Sequence, residues 1–555
     1  VSGPARAPLV GLETEYAIRF SPAPGAPRPG NDVIYQAIIK ALGQLVVLRA
    51  AGGLGDVQRR YFLENGGSIS YEFYPWAAGD GLVEGATPEC HGAAEALVYQ
   101  RAQDRLLERA TPIAARMLAV DGYPGTLGLL KNCRDAEGHV YGAQENYEVE
   151  IAPGLWRLAW WSGLIALAPA IVLAALGQWL VVVALIVVFV PWAIVSGLTD
   201  RPLAEPDPRV VERVVRAVSW PQTASLLALT RWVAFRRERH ALSAFLASRP
   251  ILTGAGTLLD DGRFVLSEKA PSINSVIRTR VDPKQRSVFE VGNLVKAVLR
   301  VPLQPDLADW RGLFRKHQRL QLGLADSNMC ETAEALRVGT TALLLRVAAD
   351  GALDDAPQVD VLAALAAWTS DPSLRAAAPT RDHGVCTALD VQSWYAERAR
   401  AWLDARPDPS LDDHQIITLW LDQLADLKRA PSSTIGRLDW PTKRWLIDHA
   451  GSSALHAVSK RVDIGYHELG TGYFAELDAA LATPRLVDEG AVARACREPP
   501  TSGPARLRGE SVRAFANDVN ARFDWESVRT GPPILGTILR FDPSRRRRRD
   551  RDGGD

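Results

Sequence analysis

Little in this sequence points to an extracellular or stapled protein. It has only five cysteines, Cys90, Cys133, Cys330, Cys386 and Cys496, and they are odd in number, widely spaced and free of any Cys-x-x-Cys pair. That argues against a disulfide framework and against a structural zinc site. A charge bias is also missing: Lys plus Arg and Asp plus Glu number 64 each, so no global field points to nucleic acid or to an acidic partner. No positively flanked apolar run opens the sequence, so no secretory signal is expected at that end. Two phosphate-binding solutions are absent as well. There is no Gly-x-x-x-x-Gly-Lys-Ser/Thr loop, and no Gly-x-Gly-x-x-Gly follows a strand pattern. With 555 residues, the chain has ample length for a large core and more than one domain.

What is present begins with the stretch Leu9 to Phe20. Strand alternation puts Leu12, Tyr16, Ile18 and Phe20 on one face and Glu13 with Glu15 on the other. Two carboxylates that close repel unless a cation lies between them, and hard divalent ions take carboxylate oxygens together with nucleotide phosphates. A second strand is expected after the turn Asn65-Gly66-Gly67, with Ser68, Ser70 and Glu72 on one face and Ile69, Tyr71 and Phe73 on the other. Glu84 and Glu89 follow in Val83 to Cys90, and Thr87-Pro88-Glu89 is expected to open a helix running through Ala94 to Leu107. A fourth acidic segment, Gly142 to Glu150 with Glu145, Glu148 and Glu150, alternates in the same way. Together they predict an antiparallel, curved sheet whose acidic side holds a metal-nucleotide complex.

From Leu158 to Thr199 the chain has no Asp, Glu, Lys, Arg or His. A run that long predicts two membrane-spanning helices turning at Leu176-Gly177-Gln178-Trp179, with tryptophans near the interfaces and kinks at Pro169 and Pro191. A hairpin returns the chain to its starting side, so the expected location is the cytoplasmic membrane, with the bilayer as a partner and the flanking segments forming one domain that faces the cytoplasm. Val210 to Ala247 reads as an amphipathic helix with Arg231, Arg236, Arg237, Arg239 and His240, suited to anionic headgroups or simply a solvated face. The arginine-rich tail from Ser544 is expected to be disordered.

Several of these segments resemble one family, the bacterial Pup ligases and Pup deamidases/depupylases, which are relatives of glutamine synthetase and glutamate-cysteine ligase. The likeness runs nearly end to end. It is carried by Gly11-Leu12-Glu13-Thr14-Glu15-Tyr16, Ala86-Thr87-Pro88-Glu89-Cys90, Lys131-Asn132, Tyr141-Gly142 and Glu145-Asn146-Tyr147. Thr253-Gly254-Ala255-Gly256, Leu266-Ser267, Asp326-Ser327-Asn328-Met329-Cys330-Glu331 and Val338 to Leu343 continue it. Leu438-Asp439-Trp440, Tyr466-His467-Glu468 and Ala505 to Glu510 carry it to the C-terminal region.

The resemblance implies an α/β (α+β) fold with a large glutamine synthetase-like domain and a small C-terminal domain. The boundaries expected are a catalytic domain at 1–153 and 249–450, the hairpin at 154–200, a basic connector at 201–248, a C-terminal domain at 451–540 and a tail at 541–555. It also implies a reaction in which ATP, with Mg²⁺, activates the C-terminal glutamate of Pup and a substrate lysine displaces the phosphate to leave an isopeptide bond. Glu13, Glu15, Glu84 and Glu89 would be metal ligands, Thr87, Trp440, Arg280 and Arg319 would contact ATP, and Glu72 would be the base. No residue is assigned to the modifier. Ser68 and Ser70 stand where the family has an arginine and a tyrosine, Glu72 where it has an aspartate, and Gln144 and Gln321 where it has histidines. The stretch Phe73 to Leu82 is longer than its counterpart. Asp326 to Glu331 and Leu507-Arg508-Gly509-Glu510 read more like the ligase, and the segment from Phe20 to Phe62 is short for the extra loop of a depupylase. The expected partners are a Pup-like modifier and lysine-bearing proteins, with no nucleic acid. A depupylase, a small-molecule carboxylate-amine ligase and a degenerate non-catalytic membrane scaffold are the alternative readings.

Overall fold

The computed structural model describes residues 8–52, 59–73, 81–199, 223–279, 284–291, 312–407, 410–450, 456–531 and 536–541, with residues 220 and 294 besides. The tail from Ser544 therefore lies outside the described residues, as does Arg280. The chain divides into two compact units, one of residues 1–147, 241–273 and 322–555, the other of residues 148–240 and 274–321. The architecture is mixed α/β, built around a large sheet.

In the first unit the order of elements is β1 (Leu9–Pro22), α1 (Asn31–Leu45), β2 (Leu48–Ala50), β3 (Tyr61–Leu63), β4 (Ser68–Glu72), β5 (Leu82–Ala86), β6 (Cys90–His91), α2 (Ala93–Val120), β7 (Gly125–Leu130) and β8 (Gln144–Glu150). Strands lie side by side as β8-β1-β5-β4-β3-β2, and β1 also pairs with β6 and β7. The alternation expected of β1 is present, and its buried face packs on α2. Val10, Leu12 and Tyr16 are buried there. The Tyr16 hydroxyl donates to Asp104 Oδ1 at 2.6 Å, and Thr14 Oγ1 donates to Gln100 Oε1 at 3.2 Å. These polar groups are fully enclosed, so each requires its partner to offset the loss of water.

The helix expected from Thr87 begins later, at Ala93, and runs on to Val120. Cys90 and His91 instead pair with Val10 and Leu9 as a short edge strand. Only after that edge does the chain turn into the helix, with the Glu95 carboxylate accepting from the His91 backbone N–H. The turn before β4 forms as expected. Leu63 N donates to Gly67 O, and Gly66 has φ +85°, a left-handed conformation that glycine takes at no steric cost. Any Cβ at Gly66 would also stand 2.6 Å from the Ala505 carbonyl oxygen, too close for another residue.

The C-terminal part of the first unit contributes a small antiparallel sheet of Arg522–Phe523, Ser527–Thr530 and Thr537–Arg540. Phe62 of β3 is buried among Val512, Ala521, Phe523, Val528 and Phe541 of this region. Ala51 also bridges Phe523, so the edge of the large sheet is covered by the chain's own C-terminal end.

In the second unit Ser275–Ile277 and Ser287–Glu290 pair in parallel, with His317–Leu322 next in order. Its dominant element is α3 (Leu155–Thr199), a single helix of 45 residues. This overturns the hairpin: the helix passes through Leu176 to Trp179 without turning. The first turns of α3 are fixed by protein groups. Trp160 and Leu164 are fully buried, Trp160 Nε1 donates to the Leu313 carbonyl at 2.9 Å, and Trp161 Nε1 donates to that of Phe314 at 3.1 Å. Among the described residues no helix is long and apolar enough to cross a membrane. Membrane anchoring, with the bilayer as partner and the cytoplasmic membrane as location, is corrected accordingly. The uncharged run beyond residue 170 falls largely outside the described side chains. The basic helix expected over 210–247 is described from residue 223 and breaks at Val233 to Phe235, where Phe235 has φ +50°. It resumes as the helix Arg236–Ser248.

Candidate active site

Register decides which acids meet. Glu15 of β1 stands opposite Glu84 of β5, and Glu84 stands opposite Ser70 of β4. In the adjacent row Gln144 of β8, Glu13, Ala86 and Ser68 are opposite one another in turn. Residues directly opposite in an antiparallel pair share a face, as do residues two apart in one strand. Glu13, Glu15, Glu84 and Glu72 therefore occupy one face, reached from three strands.

The electrostatics of that face are those of crowded like charges. Glu84 has its pKa raised to about 7, first by burial and then by the negative charge of Glu13 and Glu72, against the opposing pull of Arg60 and of the Ser70 hydroxyl. Ser70 Oγ donates to Glu84 Oε2 at 2.8 Å, and Arg60 Nη2 lies 4.0 Å from the same oxygen. Glu15 differs, since its Oε2 accepts from the Gly142 backbone N–H at 3.0 Å and so anchors the Tyr141-Gly142 loop. Gly142 has φ +108°, and a Cβ there would stand 2.3 Å from Cys133 Sγ, so the loop reaches Glu15 only with glycine. Among the described residues, no group of three or more acids, histidines or cysteines is arranged to hold a metal ion as it stands.

Other expected site residues have different surroundings. Glu89 is held by Arg508, whose two terminal nitrogens both donate to its carboxylate. The Thr87 hydroxyl accepts from Leu12 N at 3.0 Å while Thr87 N donates to Leu12 O, so this residue extends the β1 ladder. Trp440 is 1% exposed and its Nε1 donates to the Ile251 carbonyl at 2.8 Å. Arg319 belongs to the second unit, as does Gln321. Of the acids in Gly142 to Glu150, Glu145 stands opposite Leu12 and is fully buried on the other side of the sheet, paired with Arg249 at 2.9 Å.

The remaining motifs are tied to one another by buried hydrogen bonds. The Asp326 carboxylate accepts from Ala255 N, Glu268 N, Lys269 N and Ser267 Oγ, at 2.9, 2.9, 3.1 and 3.1 Å. Asp439 accepts from Asn328 Nδ2, Met329 N, Cys330 N and the Tyr466 hydroxyl, at 2.9, 2.9, 3.1 and 2.9 Å. Lys131 Nζ joins Asp104 at 2.9 Å to Glu334 at 3.3 Å, and Arg101 and Arg337 reach Glu334 at 2.7 and 3.0 Å. Burial works to raise the Glu334 pKa, but Lys131, Arg101 and Arg337 outweigh it and hold it below the usual carboxylate range. These bonds tie the segments from residue 253 onward to one another and, through Lys131, Arg101 and Glu334, to α2.

Sequence reasoning missed Arg60. Its signal was available in the hairpin: with Tyr61 opposite Ile69 and Phe62 opposite Ser68, the next residue back stands opposite Ser70. The Arg508 to Glu89 pair had no comparable signal, because 419 residues separate the partners.

Comparisons with known proteins bear on the family and the fold. The family model described as Pup-ligase protein matches residues 8–529. A Pup–protein ligase of Corynebacterium kroppenstedtii is 24% identical over 96% of this chain and 94% of its own length. A Pup deamidase/depupylase of Mycobacterium tuberculosis is 31% identical, over 54% of this chain and 59% of its own length. Among solved structures, the Pup ligase PafA in complex with Pup superposes with a TM-score of 0.65 at 20% identity, covering 96% of this chain and 88% of that one. The ADP complex of PafA gives 0.60 at 19% identity, covering 88% and 86%. On the extent of the family match, this chain belongs to the Pup-ligase protein family.

Proposed function

We propose that the chain is a Pup-type protein ligase, using ATP to activate the C-terminal glutamate of a Pup-like modifier and joining it to a substrate lysine. The observation that carries the reading is the convergence of Glu13, Glu72 and Glu84 on one sheet face, where burial first and like charge second raise the Glu84 pKa to about 7. Carboxylates so placed fit a hard divalent cation, which would relieve the repulsion they now bear. Glu13 and Glu84 would hold Mg²⁺, with Glu15 beside them. The ion supplies neutralisation of phosphate charge when bound.

In the reaction the γ-phosphoryl group passes to the modifier's side-chain carboxylate, giving an acyl phosphate and ADP. The substrate lysine's ammonium first gives a proton to Glu72, the resulting amine attacks the acyl carbon, and phosphate leaves as the C–O bond breaks, carrying the amine's second proton. A positioned base of this kind contributes roughly 10²- to 10⁴-fold. Ser70 orients Glu84 through its hydroxyl, and Glu15 fixes the Gly142 loop at the rim of the row.

The test is Mg²⁺-ATP with a Pup-like peptide ending in glutamate and a lysine-bearing acceptor, followed for ADP formation and conjugation. Glu72→Ala is expected to lose conjugation while still binding nucleotide. A chain that binds nucleotide but neither turns it over nor conjugates refutes the ligase reading. The likeness to a deamidase/depupylase over part of the chain supports a second reading, hydrolysis at the same bond. Release of Pup from a conjugate, without formation of one, would favour it.

A further inference from the structure

The acidic row has a cation at its end that the reaction as described does not use. Continuing the β3–β4 register past Tyr61 puts Arg60 opposite Ser70, so Arg60, Ser70, Glu84 and Glu15 form one row across four strands of the same face. The Arg60 side chain is 23% exposed, and its guanidinium lies 4.0 Å from Glu84 on one side. On the other side it faces the Trp525 ring at 5.7 Å. That ring is itself backed, since Arg508 stacks on it at 4.5 Å and Phe62 meets it edge-on at 5.3 Å. The guanidinium is thus set against a fixed wall at the border of the acidic face.

We propose that Arg60 is a phosphate-contacting residue of this site, taking a nucleoside triphosphate's phosphate oxygens at the end of the Arg60–Ser70–Glu84–Glu15 row. The inference rests on the nucleotide-using reading given above. A triphosphate approaching Glu13, Glu72 and Glu84 meets like charge, and one divalent ion offsets only part of it. Arginine supplies the remainder with a planar fork matched to phosphate, and it stays charged at every relevant pH. Ser68 and Ser70, the strand residues nearest the acids, carry short hydroxyls and no charge. The long contact of Arg60 with Glu84 is one that phosphate can replace when Glu84 turns to a cation.

The experiment is calorimetric titration of the full chain with Mg²⁺-ATP and, separately, with adenosine, for the native protein, Arg60→Gln and Arg60→Lys. Arg60→Gln is expected to weaken ATP binding about 10- to 100-fold, the range of one charge-assisted contact, and to leave adenosine binding unchanged. Arg60→Lys, which keeps the charge without the fork, should fall between. An Arg60→Gln protein that melts normally and binds ATP within twofold of native overturns the inference, as does equal loss of ATP and adenosine binding, the mark of a purely structural role. If Arg60→Gln does not fold, Arg60→Lys with native ATP affinity overturns it instead. A native protein that binds neither ligand overturns the nucleotide-using reading and this inference together, a result distinct from native binding with an indifferent Arg60.

Discussion

Two groups of carboxylates in the first unit meet opposite surroundings. Glu334 lies among Lys131, Arg101 and Arg337, and despite complete burial its pKa is held below the ordinary range. For Glu84 burial prevails, and the negative charge of Glu13 and Glu72 adds to it against the pull of Arg60 and Ser70, so its pKa rises to about 7. The same side chain is therefore a satisfied structural anion in one place and an unsatisfied one in the other. Proteins tolerate the second arrangement where function requires it, because a carboxylate in that state gains most from a cation or a proton.

The largest expected effect breaks the paired group. Glu334→Ala removes the shared partner of three buried cations and should destabilise the fold by about 3–5 kcal/mol, read as a fall in the urea midpoint. Next is the border between the C-terminal sheet and the acidic strands. Arg508 is fully buried and donates to Gly66 O, Trp525 O and Glu89, so Arg508→Ala should cost about 2–4 kcal/mol in the same measurement.

The acidic group should respond to pH with the opposite sign from a salt-bridged carboxylate. Because the folded pKa of Glu84 lies above its unfolded value near 4.5, the native state binds the extra proton, and stability falls as pH rises from about 4.5 to about 7 before levelling off. The loss is on the order of 1–3 kcal/mol. Glu84→Gln should remove it, so that melting temperatures of the variant at pH 5 and pH 8 draw together. An unchanged pH dependence would sink the claim that like charge burdens Glu84. Smallest in stability is Glu72→Gln, which should shift unfolding by no more than about 0.5 kcal/mol while conjugation falls by roughly 10²- to 10⁴-fold. Equal losses of both would place Glu72 with the frame instead of the chemistry.

Much of the acidic face was legible in the sequence, and particular residues show why. Alternation within β1 and β4 assigns Glu13 and Glu15, and Ser68, Ser70 and Glu72, to common faces, since side chains in a strand repeat every two residues. The Asn65-Gly66-Gly67 turn announces the hairpin that brings Arg60 to Ser70. Glu145 shows the limit of this reasoning. Its strand alternates as clearly as β1, yet a one-residue change of register moves every side chain to the other face, and pairing with Leu12 put it on the buried one. Thr87, Trp440 and Glu89 were assigned by likeness of motif, and their burial and partners depend on Leu12, Ile251 and Arg508, which lie elsewhere in the chain.

The uncharged run from Leu158 to Thr199 shows a related division. Its sequence alone pointed to an apolar helical segment, because an uncharged run of that length far exceeds an ordinary strand. Whether the helix turned back on itself, and whether its tryptophans met lipid or the carbonyls of Leu313 and Phe314, depended on residues some 150 positions away. Composition and spacing thus fixed local conformation and the kinds of charge each strand carries. Tertiary structure decided which charges face a partner and which face one another, because that choice depends on register and on contacts that no local pattern encodes.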